Sequence, residues 1–151
     1  MKVLFLDCDG VLNNKTTEAT SPRGYTGIMD SKVKLLKKII DVTGAKIVLS
    51  SDWRLCEEDD PDYKYLLNKL RYKGGICIYD KTPNLSWQRR GLEIRTWLKC
   101  HPEVESWAVL DDIDFSDFND FNEIADHVVL TDEYYGLQES DVEKAIEILK
   151  G

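Results

Sequence analysis

Paired acids occur at two widely separated places in the 151-residue sequence. Asp7 and Asp9 flank Cys8, and Asp111 and Asp112 are adjacent. Such carboxylates would repel one another and raise their own pKa values if they met without a cation. Mg²⁺ resolves this repulsion, because it accepts one or two carboxylates together with waters and a phosphate oxygen. The four acids therefore predict a magnesium site, provided that the fold brings them together.

Other residues could hold a phosphate beside such an ion. Ser50 offers a hydroxyl and Ser51 a backbone N–H, and both could hold a phosphoryl oxygen. Arg90 offers a fixed charge and fork-shaped donors that suit phosphate. A carboxylate nucleophile, a second carboxylate for proton transfer, a cation, a hydroxyl and an arginine are together what aspartyl-phosphate chemistry requires.

Short apolar runs alternate with amphipathic stretches along the chain. The runs have the form of strands buried on both faces of a parallel sheet, and they lie at 3–6, 47–49, 76–79, 107–110 and 128–130. Amphipathic patterns between the runs predict helices. This alternation predicts an α/β fold, a three-layer Rossmann-like arrangement with a five-stranded, mostly parallel sheet, and residues 1–151 are expected to form a single domain.

The ends of the predicted helices carry signals of their own. Asp30 or Ser31 could cap the first helix, and Gly44 would stop it. Two further helices are predicted over 63–72 and 91–98, and the last helix carries a capping-box spacing at Ser140 and Glu143. Residues 114–126 predict a short amphipathic helix with its aromatic rings turned inward, and Asp114 or Asp117 could lie near the metal.

The predicted sheet brings the polar residues together. Ligands of an open α/β sheet lie outside the carboxyl ends of its strands. Four of the five apolar runs end there in acids or hydroxyls, namely Asp7, Ser50, Asp111–Asp112 and Thr131–Asp132. We therefore expect these side chains to meet at one edge of the sheet.

Charge and hydropathy narrow the possible functions. The net charge of −8 argues against strong nonspecific binding of nucleic acids. Residues 81–99 are locally basic, and they form either a binding surface for phosphate or a solvent-exposed face without a ligand. The apolar runs are too short to cross a membrane, the first residues do not have the pattern of a signal peptide, and the cysteines lack zinc-like spacing. We expect a cytoplasmic protein, either a monomer or a weak dimer.

The motifs resemble those of the haloacid dehalogenase (HAD) superfamily. Asp7-Cys8-Asp9-Gly10-Val11-Leu12 is similar to its first motif, and Val48-Leu49-Ser50 is similar to the second. Arg90 stands where the basic residue of the third motif would fall, and Val109-Leu110-Asp111-Asp112 is similar to the fourth. Within the superfamily, the segments Ser50–Arg54 and Arg90–Leu98 resemble those of the domains attached to RNA-repair proteins.

The resemblance implies a catalytic role for four residues. Asp7 would attack phosphorus and form an aspartyl-phosphate, and Asp9 would protonate the leaving group and then activate water. Ser50 would bind the phosphoryl group. Arg90 would steady the nucleophile and the phosphate, and this role has two other candidates, Arg89 and Lys81.

The resemblance also implies a cofactor and a reaction class. Mg²⁺ would be held by Asp7, the carbonyl of Asp9 and Asp112, with Asp111 alongside. An acid at position 9 favours phosphatase chemistry, because the dehalogenases of this superfamily lack it. The chain is thus expected to be a phosphoric monoester hydrolase.

The gaps that hold cap domains in many of these enzymes are short here, over 13–29 and about 80–89. We therefore expect no cap domain and an open site, which suits a bulky substrate such as a polynucleotide 3′-phosphate end. Ser51, Trp53, Arg54 and Arg89 are candidate substrate contacts, although tryptophans of such loops also serve as packing residues. The alternatives are a small nucleotide, sugar or protein phosphate as substrate, or a catalytically silent binding module.

Overall fold

The structure is a computed structural model that describes residues 1–85 and 87–151, except for the side chain of Asn122. Among these residues, five strands form one parallel sheet in the order β3-β2-β1-β4-β5. The strands are β1 (Lys2–Leu6), β2 (Lys46–Leu49), β3 (Ile78–Lys81), β4 (Ser106–Asp111) and β5 (Val128–Leu130). Phe5 of the central strand lies between Val48 and Val109 in register.

Helices cover both faces of the sheet. They are α1 (Asp30–Thr43), α2 (Pro61–Gly74), α3 (Arg90–Lys99), α4 (Ser116–Asp120), α5 (Asn122–Ala125) and α6 (Glu139–Lys150), with a 3₁₀ helix at Asp52–Leu55. Helices α1, α2 and α6 pack on one face, and α3, α4 and α5 pack on the other. The predicted three-layer α/β fold is confirmed.

The continuous apolar runs reflect this double coverage. In β1, Leu4 and Leu6 point into the core under α1, α2 and α6, whereas Val3 and Phe5 point into the core under α3. All four side chains are fully buried. Successive side chains of a strand alternate between its two faces, so both sets must be apolar when both faces are covered.

Several element ends differ from their predicted positions. Strand β3 begins at Ile78 rather than Ile76, because the N–H of Ile76 closes the end of α2 by donating to Leu70. At α6 the capping interaction involves neither Ser140 nor Glu143. The helix begins earlier, at Glu139, so Asp141 occupies its third position and accepts a hydrogen bond from the N–H of Gln138.

Residues 114–126 form two short helices rather than one. The chain becomes extended at Phe121, which separates α4 from α5. Phe118 is fully buried, while Phe115 and Phe121 are half-buried, so the rings turn inward to different extents.

Asp117, a candidate metal neighbour, instead caps α3. Its buried carboxylate accepts hydrogen bonds from the N–H groups of Gly91 (3.0 Å) and Leu92 (2.9 Å). A Cβ on Gly91 would lie 2.9 Å from the Asp117 Cγ, so only glycine permits this close approach. The contact sets the position of the first turn of α3, to which Arg90 belongs.

Neither candidate gap holds a cap domain. Residues 7–29, all of which are described, contain no helix or strand, and an isolated bridge between Thr20 and Thr26 closes a small flap. The described residues of 82–89 also lack regular elements. In the part of the chain that the structure covers, no helix has both the length and the apolar character needed to traverse a bilayer.

We predict that Asp117→Ala lowers the free energy of unfolding by about 2 kcal/mol, because two N–H groups at the start of α3 lose a charged acceptor. Urea unfolding followed by circular dichroism measures this change. Asp114→Ala is the matched control, because Asp114 is exposed and its side chain makes no hydrogen bond to a described residue. Equal stability of the two variants would contradict the capping role.

Candidate active site

Three carboxylates meet at the carboxyl edge of the sheet. Asp7 follows β1, Asp111 ends the neighbouring strand β4, and Asp112 comes next. One carboxylate oxygen from each lies within 4.8 Å of the others. The chain reverses its winding direction between β1 and β4, and such a reversal opens a crevice at the strand ends. The predicted convergence of these three acids is therefore present.

Gly10 makes room for the Asp112 carboxylate. Its φ is +81°, and a Cβ at this position would collide with that carboxylate. The Thr131 hydroxyl donates a 2.7 Å hydrogen bond to the Gly10 carbonyl, which ties this turn to the end of β5. The glycine of the first motif thus serves both the turn and the close approach of Asp112.

Arg90 joins the acids as their basic partner. Its Nη1 lies 2.7 Å from Asp111 Oδ2 and 3.4 Å from Asp7 Oδ1. The other oxygen of Asp111 accepts a hydrogen bond from the N–H of Ile113, so both oxygens of Asp111 have protein partners. Asp111 therefore anchors Arg90, and Asp7 and Asp112 are better placed to offer oxygen atoms to an ion.

The two other candidates for the third-motif base lie elsewhere. Lys81 pairs with Glu58 at 3.4 Å, and its ammonium lies 4.2 Å from the centre of the Tyr63 ring. Arg89 lies 3.5 Å from Asp117, and its side chain is exposed. Of the three bases, Arg90 is the one in contact with Asp7.

Burial makes two carboxylates of this cluster, Asp7 and Asp111, hard to ionise. It is the main reason why the pKa of Asp7 is raised well above its usual value, and Asp111 adds to the effect while Arg90 opposes it. Burial likewise raises the pKa of Asp111. Three carboxylates with one guanidinium form a cluster of excess negative charge and oxygen donors, which fits a hard divalent cation such as Mg²⁺.

Asp9 is positioned differently from the clustered acids. Its carboxylate is exposed and accepts hydrogen bonds from Asn13 Nδ2 (2.9 Å) and Trp53 Nε1 (3.1 Å). Asn13 is buried, and its Oδ1 accepts from the N–H of Gly10. Sequence reasoning missed Asn13, although an amide side chain one turn after Asp9 was a usable signal for a local hydrogen bond.

The Ser50 hydroxyl is buried without a partner. It is fully inaccessible, and no described residue offers it a hydrogen bond. A buried unsatisfied hydroxyl is unfavourable by about 1–3 kcal/mol. A phosphoryl oxygen held beside Asp7 would supply the missing acceptor, and the role of Ser50 in binding it stays a prediction.

Three predicted substrate contacts are used within the fold instead. The Ser51 hydroxyl accepts from the N–H of Trp53, and the N–H of Ser51 donates to the Leu6 carbonyl. Trp53 is 9% exposed and bonds to Asp9, so its ring is not open to a base. Arg54 is buried and pairs with Glu93 at 2.8 Å. The 3₁₀ helix Asp52–Leu55 thus buries Trp53 and Arg54, and Ser51 caps its start.

Comparison with known proteins yields one match. The family described as HAD domain in Swiss Army Knife RNA repair proteins matches residues 3–142, a span that includes all of the sheet except Lys2 and every site residue discussed above. No curated protein and no solved structure matches the chain.

We predict that Asp7→Asn stabilises the metal-free protein at neutral pH. The raised pKa of Asp7 means that its contribution to stability is present at acid pH and is lost as the pH rises through that pKa. Asparagine has no proton to lose, so the gain should shrink at pH 4. Urea unfolding in the presence of a chelator, at neutral pH and at pH 4, measures the change in the free energy of unfolding. Exposed Asp59→Asn is the control. A variant that is less stable at both pH values would contradict this account.

Proposed function

The chain belongs to the family of HAD domains in Swiss Army Knife RNA repair proteins, and we propose that it is a Mg²⁺-dependent phosphomonoester hydrolase. The favoured substrate is a polynucleotide with a 3′-phosphate end. One observation carries the proposal: Asp7, Asp111 and Asp112 meet at the carboxyl edge of the sheet, Arg90 contacts Asp7 and Asp111, and the Ser50 hydroxyl at the end of the neighbouring strand is buried with no partner among the described residues. This is the set of groups that phosphoryl transfer to a carboxylate needs.

The first half-reaction transfers the phosphoryl group to Asp7. A carboxylate oxygen of Asp7 attacks phosphorus, the bond from phosphorus to the leaving oxygen breaks, and that oxygen takes a proton from Asp9. Arg90, at 3.4 Å from Asp7, orients the nucleophile and can donate to a phosphoryl oxygen. The Ser50 hydroxyl donates to another. The product alcohol leaves, and an aspartyl-phosphate remains.

The second half-reaction returns Asp7 to its starting state. Water attacks phosphorus, Asp9 takes its proton, and the bond between phosphorus and the Asp7 oxygen breaks to release phosphate. The Asp9 carboxylate must keep one position while it first gives and then takes a proton. The hydrogen bonds from Asn13 and Trp53 fix that position.

Mg²⁺ would be held by Asp7, Asp112 and the main-chain carbonyl of Asp9. When bound, it neutralises the charge on the phosphoryl oxygens. Asp111 keeps Arg90 in place beside this site through its 2.7 Å ion pair. This assignment makes Asp111 a positioning residue, with both of its oxygens already hydrogen-bonded.

The choice of a polynucleotide end rests on the open surroundings of the site and on the family. Among the residues that the structure describes, the gaps after β1 and β3 carry a small flap and a loop. Exposed Arg89 stands next to Arg90, where a backbone phosphate of a long substrate could bind. A small nucleotide, sugar or protein phosphate would use the same catalytic groups but would leave much of this surface unused.

We predict Mg²⁺-dependent release of phosphate from a 3′-phosphorylated oligonucleotide, at a higher kcat/KM than from a small aliphatic phosphate ester. Asp7→Asn should abolish the release, because the nucleophile is lost. Asp59→Asn is the matched control and should retain full activity, since Asp59 is exposed and lies outside every motif.

Three results would contradict the proposal. Full activity of Asp7→Asn would exclude the mechanism. Preference for the small ester would exclude the polynucleotide end and favour the small-substrate alternative. Release from neither substrate at any Mg²⁺ concentration would favour the catalytically silent module.

We further predict that Trp53→Phe lowers kcat about tenfold with little change in KM. Phenylalanine keeps an aromatic ring at this position but lacks the indole N–H that fixes the Asp9 carboxylate, and misplacement of a general acid–base group lowers the rate of the chemical step. Steady-state kinetics on the 3′-phosphorylated oligonucleotide measures both constants. A rise in KM at constant kcat would instead indicate that Trp53 contacts the substrate.

A further inference from the structure

A cleft with an apolar wall opens beside Arg90. Its lining includes Leu55, Trp87, Ile113 and Phe115, and Arg90 reaches it from the catalytic cluster. Trp87 is 86% exposed, and Leu55 and Ile113 are each 51% exposed. Large apolar side chains that gather around one cleft indicate a binding site, whereas scattered ones do not. This patch is next to the groups that would hold the phosphate.

The cleft has the dimensions and the polar groups of a ligand site. Its volume is about 380 Å³, within the roughly 300–1,000 Å³ of typical ligand pockets. The exposed side chains of Asp52, Asn84 and Gln88 contribute donors and acceptors at its rim. Flat apolar surfaces bordered by hydrogen-bonding groups match a nucleobase, which has two apolar faces and polar edges.

We propose that this cleft binds the base of the terminal nucleoside that carries the 3′-phosphate, with Trp87 stacking on it. The proposal rests on the proposed function and assigns a recognition site that the catalytic groups do not provide. Arg90 links the two sites, because its guanidinium contacts Asp7 at 3.4 Å and lies 4.6 Å from the centre of the Phe115 ring. A phosphate on Arg90 therefore places the attached nucleoside at the mouth of the cleft.

A second cleft near the site suits a base less well. It lies beside Asp9 and Asp112, and the other described residues that line it are polar or glycine, including Asn14, Lys15 and Glu133. These residues offer no aromatic face for stacking. Charge also disfavours the second cleft for a polyanion, because three carboxylates, those of Asp9, Asp112 and Glu133, line it against one base, Lys15.

The test compares two RNA oligonucleotides with a 3′-phosphate, one with a normal terminal nucleoside and one whose terminal nucleoside lacks its base. For the unaltered protein, loss of the base should raise KM about tenfold, the effect of one lost stacking contact. Trp87→Ala should raise KM for the normal end by a similar factor and reduce the ratio between the two substrates to about one. Tyr72→Ala, which removes another highly exposed aromatic side chain (75% exposed, on α2), should preserve the tenfold ratio.

Other outcomes separate this proposal from the proposed function. Hydrolysis of both ends with the same KM, or a tenfold ratio that persists in Trp87→Ala, overturns the base site but leaves the phosphatase intact. Hydrolysis of neither end overturns the proposed function. In that case, fluorescence anisotropy measures the Kd of the oligonucleotide with the normal end and tests the base site without catalysis. This binding should be about tenfold weaker in Trp87→Ala, and an unchanged Kd overturns the base site.

Discussion

The site depends on carboxylates that the fold holds close together, with little access to water, despite their mutual repulsion. Asp7 and Asp111 are almost fully inaccessible and Asp112 is half-buried, yet all three offer oxygen atoms within 4.8 Å of one another. Neither burial nor proximity favours ionisation. Arg90 compensates part of the charge by contacting Asp7 and Asp111. A divalent cation would neutralise the remaining negative charge. The repulsion that destabilises the metal-free site therefore also favours binding of the ion.

The rest of the fold keeps the basic partner and the acid–base group in place around this cluster. Asp117, from the segment after β4, caps the helix that carries Arg90, and Gly91 permits their close approach. Asn13 and Trp53 hold Asp9 from two sides. The contacts of Asp117 and Trp53 join segments that are distant in sequence, whereas the contact of Asn13 is local. Each contact uses a buried polar side chain. Such networks are favourable only when every member is paired.

The convergence of Asp7, Ser50 and Asp111 could be predicted from the sequence because parallel strands present their carboxyl ends at one edge. The family assignment followed from the order of the motifs. The inward orientation of Ser51, Trp53 and Arg54 could not be predicted, since a single 3₁₀ turn has no periodicity that separates a buried face from an exposed one. The capping role of Asp117 could not be predicted from the sequence either, because it depends on a break between two short helices at Phe121.

The central claim is that Asp7 and Asp112, together with the main-chain carbonyl of Asp9, bind one magnesium ion jointly. Isothermal titration calorimetry with Mg²⁺ tests it most directly, on the unaltered protein, on Asp112→Asn and on Asp59→Asn. We expect one site per chain in the unaltered protein and in Asp59→Asn, and at least a tenfold weaker Kd in Asp112→Asn, since one of few charged ligands is removed. The same Kd in all three proteins would show that the cluster does not hold the ion.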